Sequence, residues 1–122
     1  MMSPRILIIE DEHLIAHALR SALRVSGVEI AGMAATVEQA LALLRSMPKI
    51  DGALLDINLR GEPAYAVADD LIARGLPFVF TTGYSAQIIP KGYQHVPVLQ
   101  KPFDPNEILT ALFPNAQLKW SR

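Results

Sequence analysis

Ile6-Leu7-Ile8-Ile9-Glu10-Asp11 is the stretch on which the fold of this chain turns. Four consecutive branched apolar residues suit a strand covered on both faces, and such strands belong to parallel sheets flanked by helices. The run stops abruptly at two carboxylates. Apolar runs with polar ends recur along the chain: Ala53-Leu54-Leu55 runs into Asp56, Phe78-Val79-Phe80 into Thr81-Thr82, and Val98-Leu99 leads to Lys101-Pro102. In open α/β sheets the ligand lies beyond the carboxyl ends of the strands. Residues distant in sequence are therefore expected at one sheet edge: the pair Glu10-Asp11, the Asp56 carboxylate, the Thr82 hydroxyl and the Lys101 ammonium. That set suits a divalent cation and a transferred phosphoryl group.

Working outward, strand and helix patterns alternate. Strands are expected over residues 5–10, 28–34, 50–56, 77–81 and 96–100. The first helix, 12–25, carries Leu14, Ile15, Ala18, Leu19, Ala22 and Leu23 as its apolar face, with Gly27 as a stop. The second, 36–47, begins with Thr36 and Gln39 at capping-box spacing and ends at Pro48; Val37, Ala40, Leu41 and Leu44 face inward. The third, 63–73, turns Ala64, Val67, Ala68, Leu71 and Ile72 to the core and closes at Gly75. Only residues 85–89 remain for a fourth before Pro90-Lys91-Gly92, so it is short or irregular. Asp104, Pro105 and Glu107 have the spacing of a capped final helix. Five β–α units with right-handed crossovers give a flavodoxin-like (βα)5 three-layer sandwich, with a five-stranded parallel sheet of order 2-1-3-4-5. The domain is expected over residues 1–115, followed by a tail, 116–122, that contains Trp120.

Composition narrows the function. A chain of 122 residues with 51% hydrophobic content suggests one domain with one sizeable core. A formal net charge of −1 argues against nucleic-acid and membrane-surface binding. With no cysteine, disulfides, zinc-thiolate sites and thiol catalysis are excluded, and a reducing, cytoplasmic location is expected. The N-terminal apolar stretch is too short and too soon charged for a signal peptide or membrane span.

The segments Ile8-Ile9-Glu10-Asp11-Glu12, Leu54-Leu55-Asp56-Ile57-Asn58, Thr82-Gly83 and Lys101-Pro102-Phe103 together resemble the receiver domain of bacterial two-component response regulators over about residues 4–114. The resemblance implies a role for each. Asp56 would be the phosphoacceptor, forming an acyl phosphate. Mg2+ would be held by Asp11 and Asp56 directly, by Glu10 directly or through water, and by the backbone carbonyl of Asn58. Lys101 would neutralise the transferring group, and Thr82 would bind a phosphoryl oxygen and report its presence. Gly83 would admit close approach of its loop, and the Lys101-Pro102 peptide would be cis. Tyr84 and Asn58 would border the path of attacking water and so set the phosphoryl lifetime. The donor would be a sensor histidine kinase or a histidine phosphotransfer protein. Signalling would pass to an unknown downstream protein through the surface around the fourth helix, the fifth strand and the last helix, with no attached output domain and no turnover of an external substrate.

Some features depart from the common receiver pattern. Val98 stands where many receivers carry a switch aromatic, so an inward-turning ring cannot operate there. Phe80-Thr81-Thr82-Gly83-Tyr84 and Pro97 to Phe103 instead resemble stand-alone receivers with a Phe-Ala-Thr-Gly-type motif, with Tyr84 as the loop aromatic and Phe80 in the core. Arg60-Gly61-Glu62 replaces the usual proline-containing loop after the acceptor. The segment 83–95, with two glycines and Pro90, offers few apolar anchors and is expected to be mobile until Thr82 engages a phosphoryl group. His13 and His17 have metal-binding spacing but no evident third ligand, and read as polar-face residues. A haloacid-dehalogenase-like phosphatase is a rival, but it would need an acid where Asn58 stands. A phosphate-independent pseudo-receiver is the other rival, and the intact acidic set argues against it.

Overall fold

The N-terminal apolar run becomes β1 (Arg5–Ile9), which pairs in parallel with β2 (Glu29–Ala34) on one side and β3 (Gly52–Asp56) on the other. β3 pairs with β4 (Phe78–Thr82), and β4 with β5 (Val98–Gln100). The computed structural model describes residues 3–46, 49–83 and 89–114. The sheet has five parallel strands in the order β2-β1-β3-β4-β5, the flavodoxin-like arrangement.

The lack of alternation in β1 has a direct cause. Ile6 and Ile8, with Leu54 and Val79, pack on one side against α1 (His13–Val25) and α4 (Pro105–Leu112). Leu7 and Ile9, with Ala53, Leu55, Phe78 and Phe80, pack on the other against α2 (Val37–Ser46) and α3 (Tyr65–Ala73). Residues 6 to 9 are all 0% exposed. Each such side chain contributes roughly 1.5–3 kcal/mol by burial. Gly52, at the start of β3, lets the Phe113 ring approach: a Cβ there would lie 3.2 Å from Phe113 Cζ.

Local side-chain signals account for the starts of α2 and α4. Asp104 caps α4 by accepting from the Asn106 N–H at 2.8 Å, and the Asp104 N–H donates to Glu107 Oε1 at 2.8 Å, completing the expected capping box. At α2 the Gln39 N–H donates to Thr36 Oγ1 at 3.1 Å, but Gln39 Oε1 accepts from Ala35, one residue short of the reciprocal bond.

Several expectations are corrected. Leu14 is 87% exposed and Ile72 41% exposed. The buried stripe of α1 is Ala16, Leu19 and Leu23; Leu14 lies about 140° around the helix from Leu19 and so faces out. α3 begins at Tyr65 because residues 58–63 form a hairpin, with Asn58–Leu59 antiparallel to Glu62–Pro63. In the segment 83–95, expected to have few apolar anchors, Ile89 and Tyr93 pack against the core, which does not contradict that expectation. Lys91–Tyr93 forms a single 3-10 turn. The ends assigned to Met47-Pro48, most of the short fourth helix, Tyr84 and the tail with Trp120 lie outside the described residues.

Candidate functional site

The strand register gathers the polar ends. Ile9 lies opposite Leu55, so Glu10 and Asp56 emerge side by side. Asp56 lies opposite Thr81, and Thr82 opposite Gln100, which brings Thr82 and Lys101 to the same edge. The Lys101 N–H donates to the Thr82 carbonyl at 2.8 Å, and the Lys101-Pro102 peptide is cis. Asp11, Glu12, Asp56, Asn58, Gly61, Thr82, Gly83 and Lys101 line a cleft of about 480 Å3.

Lys101 is the hub of the charges. Its Nζ lies 2.8 Å from Asp56 Oδ2, 2.8 Å from Glu10 Oε1 and 3.4 Å from Glu12 Oε1. Burial opposes its charge, but hydrogen bonds and the charges of Asp56 and Glu10 outweigh it and raise its pKa. Glu10 is 3% exposed, and burial pushes its carboxyl up to about 7 against the pull of Lys101 and the Glu12 N–H. Its Oε2 accepts from that N–H at 3.0 Å. Its Oε1 is enclosed and meets the Lys101 ammonium at 2.8 Å.

Beyond that ammonium the enclosed oxygen has no partner among the described residues, which leaves it able to face a cation at the cluster. One oxygen each of Glu10, Asp11 and Asp56 lie within 4.8 Å of one another. An all-oxygen, carboxylate-rich set at that spacing fits a hard cation such as Mg2+. Asp56 Oδ1 accepts from the Asn58 N–H at 3.1 Å, and Asp11 Oδ2 from the Arg60 N–H at 2.9 Å.

The other singled-out residues fall as follows. Thr82 is buried at the cleft, and its strand neighbour Thr81 is also buried. Gly83 is exposed, and an added Cβ would meet nothing within 4 Å, so contact with the described residues does not require glycine there. Pro102 is exposed. Val98 is 41% exposed on β5. Phe80 is in the core, edge-on to Tyr65, Phe78 and Tyr93. His13 and His17 are exposed with rings 5.1 Å apart, and the acidic trio is the one metal-suited group of three among the described residues.

Sequence reasoning missed three contacts. Glu12 reaches Lys101; the run of three acids at Glu10-Asp11-Glu12 was its only signal. The hairpin tip reaches Asp11; Gly61 between two short segments was its only local signal, since Arg-Gly is not a favoured two-residue turn pair. Tyr93 Oη donates to Asp69 Oδ1 at 2.6 Å and its ring stacks on Tyr65 with centroids 4.9 Å apart, for which no local signal exists.

Comparison with known proteins agrees with this geometry. The family model described as response regulator receiver domain matches residues 6–113. No curated protein matches the chain significantly. Among solved structures, SdrG from Sphingomonas melonis Fr1 is similar at 43% identity, covering 97% of this chain and 98% of that one, with a TM-score of 0.80. The BeF3-activated conformation of SdrG from Pseudomonas melonis Fr1 is 42% identical, with 97% and 98% coverage and a TM-score of 0.75. The PhyR receiver domain from Erythrobacter litoralis is 30% identical, with 98% and 93% coverage and a TM-score of 0.76. No helix among the described residues is long and apolar enough to cross a membrane. With the family model spanning residues 6–113, nearly the whole chain, this chain belongs to the response regulator receiver domain family.

Proposed function

We propose that Asp56 accepts a phosphoryl group from a phosphohistidine on a sensor histidine kinase or histidine phosphotransfer protein. The observation that carries this reading is the 2.8 Å contact between Lys101 Nζ and Asp56 Oδ2 inside a carboxylate cluster suited to Mg2+. The Asn58 N–H holds Asp56 Oδ1, which leaves Oδ2 beside the ammonium as the attacking oxygen. The bond from phosphorus to the donor imidazole breaks as the bond from Asp56 to phosphorus forms, and the imidazole nitrogen keeps the electron pair. Lys101 then moves its charge from Asp56 to the phosphoryl oxygens, and Thr82 donates its hydroxyl to one of them. Glu10, Asp11, Asp56 and the Asn58 carbonyl would hold Mg2+, which when bound would supply positive charge to the transferring group. The signal leaves as a surface change read by a protein partner, without turnover of an external substrate.

SdrG, 42% identical to this chain, has a BeF3-activated conformation, which supports a phosphoryl-responsive reading for a chain this similar. The test is incubation with Mg2+ and acetyl phosphate, followed by intact mass. Wild type should gain one phosphoryl group and Asp56→Asn none. Equal labelling of the two would sink the assignment. If neither is labelled and partner binding survives Asp56→Asn, the phosphate-independent reading takes its place.

A further inference from the structure

Arg60 is the one residue other than glycine with positive φ among those described, at 53°, and Gly61 follows at 83°. Two consecutive positive values are what a two-residue hairpin turn of the primed type needs. For an arginine that backbone is uncommon, and outliers of this kind persist where the surroundings require them. What the turn achieves is visible at its tip: the Arg60 N–H points back across 49 residues and donates to Asp11 Oδ2 at 2.9 Å.

Asp11 needs such a partner. It stands half-buried in the loop after β1, beside two buried carboxylates, Glu10 and Asp56. Like charges at that spacing repel, and the loop acid is the one free to swing into water. Lys101 lies against Glu10, Asp56 and Glu12. The hairpin amide holds one oxygen of Asp11 while the three-carboxylate cluster keeps ligand atoms within 4.8 Å of one another. The bond therefore retains Asp11 at the cluster instead of drawing it away, and it uses only one of the two carboxylate oxygens.

We infer that the Arg60-Gly61 turn is a positioning element for the metal site: its backbone shape, and not the arginine side chain, aims a single N–H at Asp11 and so sets the affinity for Mg2+. This rests on the proposed function. Partners that orient a ligand in this way typically matter at the level of about 10- to 100-fold in metal affinity.

Gly61 gives a direct test of the turn, because an added Cβ would meet nothing within 4 Å and so clashes with no neighbour, and the contrast between valine and asparagine separates backbone strain from bulk at the cleft. Mg2+ is titrated calorimetrically into the purified full chain, and the metal-free melting temperature is measured alongside. Gly61→Val, which resists positive φ, should weaken Mg2+ binding by about tenfold. Gly61→Asn, which tolerates positive φ, should restore it, and Arg60→Gly should bind within about twofold of wild type because glycine adopts this backbone without steric cost. If valine prevents folding, Gly61→Ala applies the same strain more gently. The inference is overturned if folded Gly61→Val or Gly61→Ala binds Mg2+ as tightly as wild type, or if Arg60→Gly loses as much as Gly61→Val. Wild type that fails to bind Mg2+ at all would instead bring down the proposed function and this inference with it.

Discussion

Lys101→Met removes the ammonium from the cleft and keeps an apolar stem of similar length. In wild type the Lys101 side chain is 13% exposed, and its ammonium lies 2.8 Å from both Glu10 and Asp56, which are buried. Breaking a buried ion pair from one side typically costs about 3–5 kcal/mol, because the remaining charge stays in a poorly solvated place. Here the cost has a ceiling. Glu10 already sits at about 7, so it can discharge itself by taking a proton when its cation disappears. We expect a loss of about 3 kcal/mol in metal-free buffer at pH 8, and about 2 kcal/mol at pH 6, where proton uptake is easier. For a domain of this size the pH 8 loss corresponds to a melting temperature lower by about 10 °C. Mg2+ should then stabilise the variant more than wild type, because it replaces the missing positive charge and no longer competes with Lys101. At about 100 times its dissociation constant, a ligand contributes ~2.7 kcal/mol, enough to recover most of the loss. The assay is a set of thermal melts followed by far-ultraviolet circular dichroism, with chelator and with Mg2+, at both pH values. A chelated variant that melts within about 2 °C of wild type, or an equal Mg2+ gain in both proteins, would refute the view that Lys101 balances these carboxylates.

Three further outcomes are expected. The Glu10 carboxyl is raised by burial from 4.5 to about 7, so the folded state holds its proton more tightly than the unfolded chain; metal-free stability should fall, on the order of 3 kcal/mol, as pH rises from about 4.5 through 7, and Glu10→Gln should flatten that slope in urea titrations. Tyr93 donates to Asp69 and its phenol pKa is raised chiefly by that bond; Asp69→Asn should lower it in an NMR pH titration, and Tyr93→Phe should cost about 0.5–1 kcal/mol in urea unfolding. Asp104→Ala, which removes the cap of α4, should cost about 1 kcal/mol, read as a shift in urea midpoint with unchanged slope.

Much of this molecule is legible in its sequence. Apolar runs of strand length, two capping signatures and the glycine stops report on interactions within a few residues, which sequence shows directly. They point to the parallel sheet, its order and the edge where Glu10, Asp11, Asp56, Thr82 and Lys101 meet. The rest depends on contacts between distant residues. Leu14 belongs to the apolar pattern of α1, yet it faces solvent because Leu19 and Leu23 set the helix's rotation on the sheet. The bonds from Tyr93 to Asp69, from Arg60 to Asp11 and from Lys101 to Glu12 span 24, 49 and 89 residues. Their geometry is decided by strand register, hairpin shape and helix rotation together. Local propensity acts over a turn or two and carries no information about those distances; only the packed sheet, with each strand end held against its neighbour, specifies them.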